Sequence, residues 1–334
     1  MNRSKGEKGI CGQTAELKVA RADLHMWEEP CISGTRGSGA VFFSGCSLHC
    51  VFCQNHNIAA GDAGKVITVD RLSEIFLELQ EKGANNINLV TAGHFAPQVI
   101  AALDKAKAAG LRLPVVYNTG AYEEVDTLRM LEGYVDIYLP DLKYVDNCLS
   151  KRYSHAPDYF EKAKAAIEEM VRQTGEMEFA AEPEAGTGNH SRSTEKENSD
   201  AENYENGSGI QSSAPGRKIG IREYQERSEQ GKTLIMTKGV IVRHLLLPDC
   251  VKDSKDVISY LLETYGDRIF ISIMNQYTPL PHVAAYPELN RRVAPDEYEE
   301  VLDFAIAKGI ENGFFQEGGA AEESFIPEFD GKGV

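Results

Sequence analysis

Short apolar runs alternate along this chain with longer segments in which apolar residues recur every three or four positions. The runs have the length of buried strands and occupy residues 40–43, 88–91, 114–118, 136–140, 239–243 and 269–273. The periodic segments, which predict helices, lie near residues 70–82, 97–109, 123–132, 159–173, 254–264 and 295–308. Six β-α units with nearly continuous apolar strands predict an α/β protein with a parallel sheet, either a full or partial barrel or a doubly wound open sheet.

Polar residues collect just after the C-terminal end of the predicted strands. They occupy residues 91–94, 118–120, 141–144, 248–249 and 275–279, after the second to the sixth strand. In a parallel barrel all of these loops open onto one mouth, where the active sites of such folds are built. A single polar loop is ordinary, but the convergence of all of them with the loop after the first strand predicts a functional site at that mouth.

One segment interrupts the alternation. Residues 176–232 contain only seven Val, Ile, Leu, Met, Phe, Trp, Tyr and Cys residues among 57. Such a segment buries too little apolar surface to offset the entropy lost on ordering, so it predicts a disordered insertion. Because it joins a helix to the fifth strand, it is expected at the N-terminal face of a barrel. The barrel then comprises residues 40–175 and 233–334, and residues 1–39 form an N-terminal extension that packs on it.

Composition and charge exclude several classes of partner. The formal net charge of −16 argues against broad binding to nucleic acids or to anionic membranes, because both need a positive surface. No run of 18 apolar residues occurs, and no apolar segment follows the basic residues at the start, so neither a membrane span nor a signal peptide is predicted. Seven cysteines, three of them within eight residues, suit a reducing compartment and a metal site. The protein is therefore expected in the cytoplasm.

Three cysteines directly after the first strand form the most informative motif of the chain. Cys46, Cys50 and Cys53 have the spacing Cys-x3-Cys-x2-Cys, which lets three thiolates converge on one face of a loop and each bind one iron of a cubane cluster. One iron then lacks a protein ligand and can bind a small molecule. This open position favours catalysis over the storage or transfer of electrons.

Two other interpretations of the motif remain open. Structural zinc needs four ligands, and the nearest candidates for the fourth are His49, His56 and Cys31, none of which has a spacing that recommends it. The other interpretation is three unrelated buried thiols.

The same spacing, with Phe52 just before the third cysteine, resembles that of radical S-adenosylmethionine (SAM) enzymes. Seven blocks of sequence resemble the PflX-type relatives of pyruvate formate-lyase activating enzyme: residues 20–39, 46–55, 86–91, 115–119, 136–144, 243–248 and 274–279. The resemblance implies a partial (β/α)6 TIM-like barrel of the radical SAM type, a [4Fe–4S] cluster and SAM. It also implies an electron donor such as flavodoxin or ferredoxin, and an oxidoreductase that reductively cleaves SAM to a 5′-deoxyadenosyl radical.

Within the cysteine loop, the resemblance implies two roles. Cys46, Cys50 and Cys53 match the cluster ligands of the family. The backbone around Phe52 and Gln54 matches the segment that contacts the SAM adenine.

After the second strand, residues 91–94 stand where activating enzymes have a turn that binds the SAM amino group. His94 occupies the position of the usual acid. The hydroxyl or carbonyl groups of Thr91 or Ala92 therefore become the candidate acceptors for the ammonium.

Further along, Asn118, Thr119, Asp141 and Lys143 match segments that lie near the SAM carboxylate and a monovalent cation. Asp141 can hold such a cation or a ligand ammonium, and Lys143 can pair with a carboxylate. Asn118 stands where the family has an aspartate, which removes one charge from the cation site. Arg243 matches an arginine near the SAM methionine moiety, and the alternative is a salt bridge within a layer of the barrel.

Three functions are compatible with these features. The first is an activase that abstracts hydrogen from a glycine of a partner enzyme, and the second is the same radical chemistry on a small molecule or on another protein residue. The third is a non-catalytic iron–sulfur electron carrier, which needs neither SAM nor a polar mouth. The predicted lining of the mouth, His94, Tyr122, Tyr144, Asn275 and Tyr277, is neutral and hydrogen-bonding, which favours a peptide backbone as the substrate.

Overall fold

All six predicted strands are present in the structure, a computed structural model that describes residues 2–182, 233–316 and 327–334. The strands are β1 (Lys18–His25), β2 (Ser38–Phe43), β3 (Lys65–Val66), β4 (Ile87–Val90), β5 (Val115–Thr119), β6 (Ile137–Pro140), β7 (Glu178–Ala181), β8 (Leu234–Leu245), β9 (Phe270–Met274) and β10 (Gly313–Phe315). Their order in the sheet is β10-β9-β8-β6-β5-β4-β2-β1-β3, and β7 pairs with β8 outside this path. From β2 to β10 the neighbours in this order are parallel, whereas β1, β3 and β7 pair in the antiparallel sense.

The predicted helices are also present, close to their predicted bounds. The helices of the described residues are α1 (Pro30–Ser33), α2 (His56–Ala59), α3 (Val69–Glu81), α4 (Ala96–Ala108), α5 (Val125–Met130), α6 (Asn147–Ser154), α7 (Tyr159–Thr174), α8 (Val251–Tyr265) and α9 (Pro295–Ala307). At the start of α3, Thr68 Oγ1 accepts a hydrogen bond from the Arg71 N–H at 3.1 Å, so the cap residue fixes where the helix begins. None of the helices that the structure describes is long and apolar enough to cross a membrane.

The strand order decides between a barrel and a doubly wound sheet. From β2 to β10 the parallel strands follow one another in sequence order without a reversal. Right-handed crossovers then place every connecting helix on the same face, where α3, α4, α5 and α7 pack side by side. On the opposite face Val116, Leu139 and Ile241 belong to one buried cluster. The sheet is therefore a partial TIM-like barrel, whose strand order ends at β10 on one side and at β3 on the other.

The N-terminal segment closes the floor of this barrel. β1 runs antiparallel to β2, so its end lies where the parallel strands begin. The chain then turns inward as α1, and the fully buried Cys31 and Ile32 join the interior cluster of Val116 and Ile241. Complete burial of an aliphatic side chain such as that of Ile32 contributes about 1.5–3 kcal/mol. The segment between β1 and β2 is thus part of the barrel core.

The C-terminal residues 327–334 cover the outer edge of β1 beside β3. Backbone hydrogen bonds join Gly331 and Lys332 to β1 at 3.1 and 2.9 Å. The ring of Phe329 packs edge-on against Phe42 of β2, with 5.4 Å between the ring centroids. These residues therefore extend the sheet beyond β1.

The first boundary of the predicted disordered insertion, residues 176–232, is placed too early in the chain. Its first residues form β7, which pairs with β8, and the Phe179 ring lies 5.8 Å from that of Phe270 in the barrel interior. The low apolar content averaged over the whole segment conceals this short strand. The remainder of the predicted insertion, residues 183–232, lies outside the described residues.

The two chain ends that flank residues 183–232 meet at the N-terminal face of the barrel. The Glu182 N–H donates to the Thr233 carbonyl at 2.8 Å, directly before β8 begins. The Glu182 carboxylate also accepts hydrogen bonds from the Thr35 hydroxyl at 2.7 Å and from Asn85 Nδ2 at 2.6 Å. The flanking residues are thus fixed to the floor, on the face opposite the cysteine loop.

Candidate functional site

The three cysteines of the motif follow β2 and are free thiols that are partly exposed to solvent. The C-terminal end of α6 supports their loop. The Val51 N–H donates to the Tyr153 carbonyl at 2.8 Å, and Ser154 Oγ donates to Cys50 Sγ at 3.0 Å. The loop therefore takes its position from β2 on one side and from α6 on the other.

The electrostatics of the loop fit a cationic group. Burial raises the pKa of all three thiols, and that of Cys53 rises to about 12. At Cys46 the neighbouring thiolates of Cys50 and Cys53 raise the pKa further by repulsion, while Lys143 acts in the opposite direction at all three. Iron ions supply the positive charge that three clustered thiolates need. The residues present thus fit an iron–sulfur cluster.

The zinc interpretation finds no fourth ligand. In the part of the chain that the structure describes, no set of three or more His, Cys, Asp or Glu side chains is arranged to hold a metal ion. His49 Nε2 lies 3.0 Å from the Ile10 carbonyl, and the His56 ring packs 4.7 Å from that of His282. Cys31 is buried in the floor of the barrel. A cubane cluster differs from zinc because each thiolate binds its own iron rather than a shared ion.

Hydrogen bonds of neutral groups hold the turn after β4, in which His94 stands in the place of an acid. Thr91 has a φ of 58°, which Thr rarely adopts, and its N–H donates to the Asn118 carbonyl at 2.8 Å; Ala92 is buried. Burial lowers the pKa of His94 to about 4, so the neutral ring donates from Nε2 to the Ser44 carbonyl at 2.8 Å. His94 therefore joins this turn to the end of β2 and is not a charged partner for an ammonium group.

Arg3, which the sequence analysis does not identify, holds the same turn from the N-terminal segment. Its guanidinium donates to the carbonyls of Gln13, Thr14 and His94 at 3.2, 2.5 and 2.5 Å. It also lies 5.6 Å from the centroid of the Phe95 ring. The N-terminal residues thus contact the mouth of the barrel as well as its floor.

Four of the assigned residues meet inside the barrel in one ion-pair network. Arg243 Nε donates to Asp141 Oδ1 at 2.9 Å, and Arg243 Nη2 donates to Asn118 Oδ1 at 2.6 Å. Lys143 Nζ donates to Asp141 Oδ2 at 2.8 Å. Burial acts to raise the pKa of Asp141, but the charges of Arg243 and Lys143 outweigh it and hold that pKa below its usual value. The network lies at the C-terminal end of the parallel strands, as the cysteine loop does.

This network changes the expectation of a monovalent cation. The oxygens expected to hold it are Asn118 Oδ1 and the two carboxylate oxygens of Asp141. All three accept hydrogen bonds from the fixed cationic side chains of Arg243 and Lys143. A guanidinium and an ammonium group thus take the place expected for the ion.

Thr119 does not belong to the network. It follows Asn118 in β5 and therefore faces the opposite side of the sheet. Its Oγ1 donates to Glu123 Oε1 at 2.6 Å, and the Tyr117 hydroxyl donates to the same oxygen at 3.2 Å. The Thr119 side chain is thus engaged with Glu123 on that face, and its contact with the cofactor stays a prediction.

The side chains of Phe52 and Gln54 are both engaged within the protein. The Phe52 ring is buried edge-on to Tyr277, with 6.3 Å between the centroids. Gln54 Nε2 donates to the Gln276 carbonyl at 3.0 Å. The backbone of this segment, rather than its side chains, is thus the part suited to contact a nucleobase.

The predicted lining of the mouth is wrong for two tyrosines. Tyr144 and Tyr277 are 1% and 2% exposed. Their hydroxyl groups bond Ser154 Oγ at 2.9 Å and the Leu289 carbonyl at 2.6 Å. Tyrosines next to polar loop residues look like mouth residues in the sequence, but these two are part of the core.

Glu28 joins the network from the floor, and the sequence analysis does not identify it. Glu28 Oε2 accepts from Arg243 Nη1 at 3.2 Å. Glu28 Oε1 accepts from Asn88 Nδ2 at 3.0 Å and from Asn118 Nδ2 at 3.3 Å. A signal for it exists in the sequence, because two consecutive glutamates directly precede the buried helix α1 and buried charges need partners.

A parallel partial barrel that carries a three-cysteine loop after its first parallel strand is the arrangement that the sequence resemblance to radical SAM enzymes implies. Comparison with known families agrees, because residues 40–176 match the Radical SAM superfamily. This part of the chain is therefore similar to radical SAM domains. Such a domain implies an iron–sulfur cluster and SAM.

Individual proteins resemble larger parts of the chain. The uncharacterized protein MJ0674 of Methanocaldococcus jannaschii is 25% identical over 306 residues, which cover 90% of this chain and 70% of that protein. Two solved structures match this chain at low identity. The hydrogenase maturase HydG of Carboxydothermus hydrogenoformans has a TM-score of 0.47 at 10% identity and covers 86% of this chain and 55% of its own. SuiB of Streptococcus suis, bound to its precursor peptide SuiA, has a TM-score of 0.45 at 13% identity and covers 82% and 46%. This chain spans about half the length of these two structures.

Proposed function

We propose that this chain is a radical SAM enzyme that binds a [4Fe–4S] cluster through Cys46, Cys50 and Cys53 and cleaves SAM reductively. The observation that carries the proposal is one juxtaposition. Three free, partly exposed thiols and a buried network of Arg243, Asp141 and Lys143 lie at the same end of one parallel barrel. When bound, the reduced cluster supplies one electron to the SAM sulfonium, which yields methionine and a 5′-deoxyadenosyl radical.

The residues of the network match the charges of the SAM methionine moiety. Lys143 and Arg243 are the donors for its carboxylate, and Asp141 faces the cationic ammonium and sulfonium groups. Without ligand, these side chains bond one another inside the barrel. They therefore enter a complex already oriented, which lowers the entropy cost of binding. The carbonyl groups of the Thr91–Ala92 turn are further acceptors for the ammonium.

Within this class we propose an activase that abstracts hydrogen from a glycine of a partner enzyme, with flavodoxin or ferredoxin as the electron donor. A cavity of about 480 Å³ beside the cysteine loop supports the proposal that the substrate is a neutral peptide segment. It is lined by Gln54, His56, Asn57, Leu280, Pro327, Glu328, Phe329 and Asp330. Amide, imidazole, apolar and acidic groups suit a peptide better than a phosphorylated metabolite, which needs basic residues.

The experiment is an anaerobic mixture of reduced, reconstituted enzyme, SAM and protein or small-molecule fractions of a cell extract. With the correct protein fraction, a glycyl doublet is expected by electron paramagnetic resonance, matched by 5′-deoxyadenosine. The Cys53→Ala variant is the control and should give neither signal. Deoxyadenosine formed only with the small-molecule fraction rejects the activase in favour of a small-molecule substrate. A wild-type protein that binds a cluster but never cleaves SAM indicates the electron carrier instead.

A further inference from the structure

The carboxylate of Glu28 reaches the ion-pair network from beneath it, not from a barrel strand. It lies in the connection from β1 to α1, and its side chain is only 9% exposed. Its two oxygens accept three hydrogen bonds, from Arg243, Asn88 and Asn118, at 3.0 to 3.3 Å. Asn118 in turn accepts from Arg243 Nη2. Glu28, Asn118 and Arg243 thus form a closed ring of hydrogen bonds.

This ring and Asp141 fix the plane of the Arg243 guanidinium. Nε donates to Asp141, Nη2 to Asn118, and Nη1 to Glu28. Each nitrogen is therefore held from a different direction, so the group can neither rotate about its axis nor slide along it. Nη1 carries a second hydrogen, which can donate to a ligand carboxylate.

The charge of Glu28 acts on Arg243 as well. Asp141 and Glu28 both form ion pairs with the guanidinium, and the neighbouring Glu29 adds a third negative charge that acts on it. Burial raises the pKa of Glu28, and the charge of Arg243 opposes this rise. All three hydrogen-bond partners of the carboxylate are donors, an arrangement that favours the ionised form.

We propose that Glu28 is a positioning residue for SAM, which orients Arg243 from the barrel floor so that the guanidinium meets the SAM carboxylate. The proposal rests on the function proposed above and names a residue that the family comparison does not cover, since the matched region begins at residue 40. It also gives the N-terminal segment a role in cofactor binding. The segment carries Glu28 into the site because α1 is packed into the interior cluster.

The neighbouring Glu29 offers a matched control. It is 8% exposed and carries the same side chain, and its charge also acts on Arg243. Within the described part of the chain, however, no hydrogen bond joins it to Arg243, and its Oε2 has no hydrogen-bond partner. The two substitutions Glu28→Gln and Glu29→Gln therefore both remove a negative charge near the guanidinium, and only the first removes a hydrogen bond to it.

The test measures KM and kcat for SAM cleavage, together with SAM binding by equilibrium dialysis, in protein of equal iron content. Glu28→Gln should raise KM and the dissociation constant about 10- to 100-fold and leave kcat at saturating SAM within about threefold, as is typical of residues that orient a ligand group. Glu29→Gln removes a charge but no hydrogen bond to Arg243, so it should raise both constants clearly less than Glu28→Gln does. Glu28→Asp keeps the charge on a shorter side chain. Its KM and dissociation constant for SAM should therefore lie between those of the wild type and of Glu28→Gln.

A double-mutant cycle separates positioning from a general structural effect. If Glu28 acts through Arg243, the Glu28→Gln change should add little in an Arg243→Lys background. An unchanged KM in Glu28→Gln, or the same rise in both backgrounds, overturns the proposal. If the wild-type protein does not bind SAM, the proposed function itself is wrong. This result is obtained before any variant is compared.

Discussion

At the scale of single residues, the site depends on three thiols that differ from the other cysteines of the chain. Cys46, Cys50 and Cys53 share one loop and influence one another electrostatically. Cys148 is exposed on α6, and Cys250 is buried beside the start of α8. Cys148 and Cys250 therefore lie outside the loop in which the three candidate cluster ligands meet.

Replacement of any one of the three loop cysteines by Ala should abolish both cluster uptake and SAM cleavage, because each thiolate holds one iron and none is redundant. Anaerobic iron and sulfide analysis and the yield of 5′-deoxyadenosine measure the two losses. Cys148→Ala and Cys250→Ala are the controls and should retain both. A Cys50→Ala protein with full iron content and normal cleavage would contradict the ligand assignment.

The sequence predicts which residues form the network better than it predicts which other residues they contact. Asn118, Asp141, Lys143 and Arg243 meet as expected, because each stands at the C-terminal end of a predicted parallel strand. The partners follow from tertiary packing that no local pattern contains. Glu28, for example, reaches Arg243 across 215 positions of sequence.

At the scale of elements, α6 is as important for the cysteine loop as the strands are. It is not among the predicted helices, because its sequence is short and polar, with the apolar periodicity reduced to a few positions. Asp146 caps the start of the helix, where its side chain accepts a hydrogen bond from the Cys148 N–H, and the helix ends at Ser154 beside the cysteine loop. Its capping residues therefore determine where the Ser154 hydroxyl lies.

Ser154→Ala should lower the reduction potential of the cluster. The Ser154 hydroxyl donates to Cys50 Sγ, and hydrogen bonds to ligand sulfurs favour the reduced state because they offset its negative charge. The loss of about 1 kcal/mol corresponds to a potential about 40 mV more negative. Redox titration monitored by electron paramagnetic resonance measures this shift.

Ser150→Ala is the matched control for this prediction. Ser150 lies on the same helix, but its hydroxyl donates to the Asn147 and Ala156 carbonyls and not to sulfur. The reduction potential of the cluster in the Ser150→Ala variant should equal that in the wild-type protein. An equal shift in both variants would assign the effect to the helix rather than to the hydrogen bond.

Elements outside the main alternation were the hardest to predict. β1 carries charged residues along its length because it lies near the edge of the sheet, so its pattern is not that of a buried strand. β10 has only three residues and shows no period. The buried parallel strands β2, β4, β5, β6, β8 and β9 are predicted well because both of their faces are largely apolar.

At the scale of the whole molecule, the barrel is built from two stretches of chain that flank residues 183–232. The hydrogen bond between Glu182 and Thr233 shows that the flanking ends of β7 and β8 are already paired as in a hairpin. The barrel therefore needs only a short connection at this point. The predicted insertion begins at residue 176, before β7, and therefore inside the sheet.

Deletion of residues 183–232 with an Asn-Gly linker should preserve cluster uptake and SAM cleavage, because Asn-Gly is a favoured two-residue hairpin turn. Closing a shorter loop costs less entropy, so the free energy of unfolding should be unchanged or higher by up to about 3 kcal/mol. Chemical denaturation and 5′-deoxyadenosine assays measure both.

Deletion of residues 176–232 is the comparison. It also removes β7 and the packing of Phe179 on Phe270, so this variant should be less stable than the first. Equal stability of the two deletions would mean that β7 contributes nothing. Loss of cluster uptake in the shorter deletion would mean that residues 183–232 are needed for the fold.

The C-terminal residues that lie along β1 have a consequence for how this protein behaves in concentrated solution. A strand edge with unpaired N–H and C=O groups is a template on which another chain can add a strand, and this is a common start of aggregation. Here the backbone of Gly331 and Lys332 bonds the part of β1 that β3 leaves unpaired. The chain thus supplies its own edge protection, and the side of the barrel nearest the cysteine loop is shielded from strand addition by a second copy.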